Sequence, residues 1–255
     1  MQVGHIRLGE LPKTRRWSQV VALIEDGDAP VSDVAAAIVR AAEDAYRAAG
    51  VDPGLVESLR SMAVVADASR QEDFAGALRA AGFAIQGDED AVRLLRVLLR
   101  DTEGRFGPTA QRTVFTELAL SALQESLSES ISSQTGSLFL TGLDDAQAAY
   151  RTFSTERGFA TLAHKFFARL LSRSLRYFTD QAAANRLGSG RLGSEEDLRS
   201  FNDAIDRYGR EAARIVEEYA GAWYSKRRWL GDIDRTEGLA AVAMRKVADE
   251  LARAS

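Results

Sequence analysis

The 255-residue chain contains no cysteine, four prolines, two histidines and, among 33 basic residues, four lysines. Without thiols it forms no disulfide, no thiolate zinc or iron–sulfur site and no cysteine nucleophile. The histidines, His5 and His164, lie far apart with no HExxH or HxH spacing, so a histidine-based metal site has little to build on. The low proline content excludes a collagen-like chain, and 45% apolar residues exclude a wholly disordered one. No stretch of about 18 uncharged apolar residues occurs, so no transmembrane helix is expected. The opening MQVGHIRLGELPKTRRW lacks the apolar core of a signal peptide. A cytoplasmic protein is the simplest expectation. The arginine and alanine excess fits a GC-rich, bacterial genome more simply than it fits a function.

Motifs of catalysis are scarce as well. There is no G-x-S-x-G elbow and no Walker A sequence. GSGRLG at residues 188–193 matches G-x-G-x-x-G, but no strand precedes it. The helix expected after it opens with Glu195, Glu196 and Asp197, which repel an anion. It reads as a solvent loop. Asp232, Asp234 and Glu237 have spacing a divalent cation could use, but Asp234 and Glu237 are explained as a helix cap. No catalytic residue, metal ligand or cofactor is therefore expected.

What the sequence does contain is helix punctuation. Thr14 caps a segment running to Glu25, and Ser32 one running to Ala49 before Gly50. Asp52-Pro53 opens another, since proline is tolerated in a first turn. Ser69 with Glu72, and Asp88, read as further starts, and Pro108 as the start of a longer helix through Ile131. Asp144-Asp145 precede AQAAYRTF, and the next helix runs from about Glu156 to Ala184. Ser194 with Asp197 opens one of about thirty residues, and Asp234 with Glu237 opens the last. Strand signals are confined to Gln2–Leu8 and Ser137–Leu140, too little for a sheet.

Leu198, Phe201, Ile205, Tyr208, Ala212, Ile215, Tyr219 and Ala222 follow a 3,4 spacing, a heptad seam. Ala240, Met244, Val247, Leu251 and Ala254 repeat it in the final helix, so the two are expected to pack antiparallel. The seam reads first as core; the sharper reading is a homo-oligomer contact through residues 198–222. The expected fold is all-α, with eight to ten helices. Shorter ones form an N-terminal subdomain, residues 1–133, and longer antiparallel ones a C-terminal bundle, residues 134–255, unless the two are continuous. The serine-rich stretch 128–142 marks the boundary.

Charge is uneven. Residues 1–133 carry 14 basic and 20 acidic side chains; residues 134–255 carry 19 and 17. From Arg157 to Thr179 there is no acidic residue. Lys165, Arg169, Arg173 and Arg176 fall within an arc of about 80° on a helix, opposite Phe166, Phe167, Leu170, Leu171, Leu175, Tyr177 and Phe178. Arg186 and Arg191 follow in the loop. Trp223-Tyr224-Ser225-Lys226-Arg227-Arg228-Trp229 alternates aromatics with cations. Such residues bind phosphates and stacked bases, or an acidic protein surface, including this chain's own N-terminal half. The plainer reading is a solvated helix face whose arginine stems cover core edges. The candidate binding surface is thus Arg157, Lys165, Arg169, Arg173, Arg176, Trp223, Lys226, Arg227, Arg228 and Trp229. The expected function is a non-enzymatic helical interaction protein, a subunit or adaptor with a protein partner and no membrane. The alternatives are a nucleic-acid-binding protein using the cationic helix, and an enzyme with dispersed catalytic residues.

Overall fold

A computed structural model describes residues 14–26, 28–107, 112–136, 141–183 and 195–253. Among the described residues every regular element is an α-helix and no strand occurs. The stretches 2–8 and 137–140 lie outside them, as does the GSGRLG segment. The helices are α1 (Arg15–Glu25), α2 (Val31–Ala41), α3 (Glu43–Ala49), α4 (Pro53–Ala68), α5 (Phe74–Ala80) and α6 (Ala91–Glu103). After these come α7 (Val114–Thr135), α8 (Leu143–Arg151), α9 (Glu156–Ala183), α10 (Glu195–Ala212), α11 (Arg214–Leu230) and α12 (Glu237–Arg253). Twelve exceeds the expected eight to ten because two expected helices each divide, one at Ala42 and one at Ala213.

Local chemistry explains most boundaries, and some starts fall elsewhere than expected. Thr14 caps α1 by accepting from Trp17 N–H. Asp73, not Ser69, starts α5: its carboxylate accepts from Gly76 N–H at 2.7 Å. Ser69 instead closes α4. Asp90, not Asp88, caps α6 through Arg93 N–H at 2.8 Å. Glu89 folds back onto Gln86 and Gly87 N–H. α7 starts at Val114 under a Thr113 capping box, later than Pro108, which lies outside the described residues. It continues to Thr135, so most of the serine-rich stretch is helix, closed by Gly136 in the left-handed conformation at φ 72°. α12 begins after Thr236, whose hydroxyl donates to Val56 O at 2.9 Å.

The break between α10 and α11 has a visible correlate. His164 on α9 places Nε2 2.9 Å from the carbonyl oxygen of Arg210. In an unbroken helix that carbonyl serves Arg214 N–H. A side chain entering the hydrogen-bond ladder is a regular cause of helix breaks. Both pieces lie antiparallel along α9, with Arg176 meeting Asp206, Ser172 beside Gly209 and Glu156 beside Gly221. At Gly221 an added Cβ would sit 2.5 Å from the backbone oxygen of Glu156, so the close approach needs glycine. The α9 contacts come from Asp206, Gly209, Gly221 and Tyr224, off the seam. The seam residues Tyr208 and Tyr219 meet the expected partner, α12: the Tyr208 hydroxyl donates to Leu251 O at 2.9 Å, and Lys246 Nζ lies 5.0 Å from the Tyr219 ring. α12 also packs on α2 and α3. Phe201, Ile205 and Ala212 are buried, while Leu198 is exposed.

One cluster of buried side chains runs from Trp17 to Leu251. Tyr46 on α3 ties it together, with ring centroids 5.2 Å from Phe115 on α7 and 6.1 Å from Phe178 on α9. Its hydroxyl shares a 2.9 Å hydrogen bond with Ser174. Asp52 is the polar counterpart. Buried at the start of α4, it accepts from Gly54 and Leu55 N–H and, through its other oxygen, from Thr113 N–H and the hydroxyls of Thr113 and Thr116. One carboxylate thus caps α4 and fastens it to the start of α7.

Candidate interaction surface

The cationic stripe lies in a groove of about 600 Å³ between α7, α9 and α10. Its four cations find counter-charges inside the chain. Lys165 Nζ is 2.9 Å from Glu129 on α7. Arg169 meets Glu129, and Glu125 at 3.5 Å. Arg173 meets Glu125, and Arg176 reaches Asp206 on α10 at 2.5 Å. Arg169 also donates to Ser126 Oγ at 3.3 Å. Burial, and after it Arg210, holds the Arg169 guanidinium below its ordinary range. Burial, and after it Arg176, does the same for Arg173. Arginine starts high enough that both stay charged. His164 lines the same groove, with Nδ1 2.8 Å from Glu217 on α11. Arg157 stands apart: it is exposed and lines a shallow depression with Glu156, Glu217 and Glu218.

The second half of the expected surface divides into inward and outward residues along α11. Tyr224 is buried and stacks on Phe159 with centroids 4.4 Å apart. Trp223 is half-buried, 5.9 Å from the same ring. Arg227, also half-buried, forms a 2.7 Å ion pair with Asp232. Lys226 and Arg228 are exposed, and Arg228 donates to Ser154 O at 3.2 Å. Trp229 is 84% exposed and Leu230 49%. Among the described residues the other exposed large apolar side chains are Val51 and Leu198.

The turn beneath this pair is fixed. Gly231 adopts φ 73°, Asp232 N–H bonds to Arg227 O at 3.1 Å, and Gly231 N–H to Arg228 O at 3.2 Å. This is the paired pattern that closes a helix on a left-handed glycine. The contact that usually seals it is apolar; here it is the Arg227–Asp232 ion pair at the same two positions. Thr236 anchors the following turn to α4. Trp229 and Leu230 therefore project from a rigid corner, with Lys226, Arg228 and Arg235 exposed around them.

The structure thus brings Lys165, Arg169, Arg173 and Arg176 into one groove and separates them from Arg157. It buries Trp223 in part and leaves Trp229 outside. Arg186 and Arg191 lie outside the described residues. Sequence reasoning offered the acidic N-terminal half as a partner for the stripe but did not single out Glu125, Glu129 or, in the other half, Asp206, though Glu125 and Glu129 at i,i+4 share one helix face. It also missed Leu230 and Arg235, for which the only signal was adjacency to Trp229 and Gly231. Among the described residues no group of three or more metal-ligating side chains is close enough to hold an ion, and no helix is long and apolar enough to cross a membrane. No protein-family model, curated protein or solved structure matches the chain.

Proposed function

We propose that the protein is a non-enzymatic helical interaction module, a subunit or adaptor that docks a protein partner through the Trp229–Leu230 corner. The carrying observation is the 84% exposure of Trp229 beside an exposed Leu230 on a fixed helix end. A tryptophan covers about 150–250 Å² when buried, and tryptophan is among the residues most enriched at binding hot spots. Lys226, Arg228 and Arg235 around it suit a partner with an apolar recess and an acidic rim. The internal pairing of the stripe supports giving α9 a structural role, which removes the main support for the nucleic-acid reading. The test uses the full chain, with Trp229→Ala and Arg228→Glu, in lysate from the source cells. Retention of one stoichiometric protein by the parent chain, lost in Trp229→Ala at unchanged melting temperature, is expected. Retention of oligonucleotides with a steep salt dependence instead would overturn the reading in favour of nucleic acid.

A further inference from the structure

A second feature lies well apart in sequence, where α2 and α3 face α12. A groove of about 510 Å³ is walled by Val39, Tyr46 and Gly50 on one side and by Ala241, Met244 and Ala248 on the other. Its volume falls within the ~300–1,000 Å³ typical of small-ligand sites. The floor is tight because α3 and α12 meet closely there: a Cβ on Gly50 would lie 3.1 Å from Ala241 Cα. Tyr46, which lines the groove, has its hydroxyl already bonded to Ser174. The groove therefore offers an apolar interior with no unmet hydrogen-bonding demand.

Its rim has a charge sign. Arg40, Arg47 and Arg245 line it against a single carboxylate, Glu43. Glu43 is itself answered twice, by Arg47 at 2.7 Å and by Arg16 at 3.2 Å, and Arg47 also pairs with Asp44 at 3.4 Å, which leaves Arg245 as the rim cation to offer an incoming anion. Arg245 stands exposed on α12, across the groove from Arg47. Val51 lines the mouth and is 76% exposed. We infer that this groove binds a small amphiphile with an apolar tail and one carboxylate. The tail lies along Val39, Met244 and Ala248. The carboxylate meets Arg245 at the mouth, where a guanidinium fork matches its two oxygens. The inference is independent of the Trp229 corner.

The test is calorimetric titration of the full chain with sodium decanoate below its micelle concentration, alongside decanol and decyltrimethylammonium. Saturable one-site binding of decanoate is expected, at least about tenfold tighter than decyltrimethylammonium. Arg245→Glu should weaken decanoate by about tenfold while changing decanol less than about twofold. Ala248→Phe, which fills the groove, should abolish binding of both. Should Ala248→Phe fold poorly by circular dichroism, Val51→Asp, at an exposed position, should weaken decanoate without changing the melting temperature. No saturable decanoate binding, equal affinity for the cationic amphiphile, or full binding by Val51→Asp would each overturn the inference. So would a parent chain that is dimeric in solution and becomes monomeric on Val51→Asp, which would assign the groove to a second copy.

Discussion

Reversing the middle of the cationic stripe, Arg169→Glu with Arg173→Glu, distinguishes a structural network from a free binding surface. The two arginines make three ion-pair contacts with Glu125 and Glu129. Arg169 is the more enclosed, with its side chain 21% exposed; the two glutamates are 44% and 42% exposed. Partly exposed pairs contribute about 0.3–1 kcal/mol each, so losing three costs about 1–3 kcal/mol. The introduced carboxylates also face Glu125 and Glu129, and repulsion brings the expected loss to about 2–4 kcal/mol. For a chain of this size that lowers the melting temperature by roughly 5–15 °C. Adding Glu125→Arg should recover part of it, since position 125 again meets opposite charges at 169 and 173 while Glu129 is kept for Lys165. In 1 M salt, where the screening length is about 3 Å, the deficit should shrink. Thermal melts by circular dichroism at low and high salt provide the readout. A double reversal melting within about 2 °C of the parent at low salt would refute the reasoning and free the stripe for an external anion.

Asp52→Ala should cost about 3–5 kcal/mol in urea unfolding, because it strips the acceptor from five donors, three of them buried, and uncaps α4. A loss under about 1 kcal/mol would contradict its role as the α4–α7 fastener. Ile205→Asp should destabilise by more than about 4 kcal/mol, since Ile205 is buried in the core; a variant that stays fully folded would show that the seam is not core. Burial, offset in part by Arg60 and Arg105, raises the Glu57 carboxyl above its ordinary value. The native state then holds its proton more tightly than the unfolded chain, so this group favours folding at low pH. That contribution fades as pH rises from the unfolded carboxyl range through the native value. Glu57→Gln should therefore be modestly more stable than the parent at neutral pH, with the difference disappearing on acidification. A constant difference across pH in the melts would contradict this.

The helical class was legible because capping residues and apolar spacing agree along most of the chain. Its errors are local competitions that tertiary contacts decide. Ser69-x-x-Glu72 reads as the cap, but Asp73 prevails where Gly76 leaves room for its carboxylate, since a Cβ there would collide with it. Asp88 loses to Asp90 because Glu89 is occupied with Gln86 and Gly87. The seam over residues 198–222 is periodic in sequence but broken in space. His164 meets the Arg210 carbonyl across 46 positions, a distance periodicity does not reach. The stripe's arc was legible for the same reason its partners were not. An arc is a property of one helix, whereas Glu129 and Glu125 lie 36 and 48 positions from Lys165 and Arg173. At the other candidate surface, sequence grouped Trp223 with Trp229, while six residues of helix turn one ring into the core and leave the other outside.

The most direct measurement for the proposed function is photo-crosslinking from position 229. A photoreactive phenylalanine analogue replaces Trp229 in the full chain, with a second chain carrying it at Asp44, an exposed site on α3 distant in sequence from the corner. The chains are irradiated in lysate from the source cells. The account expects a single protein adduct from position 229, absent from position 44, and diminished when Lys226→Glu and Arg228→Glu remove the surrounding cations. Adducts only to nucleic acid, the same pattern from both positions, or no adduct above background from position 229 would contradict it.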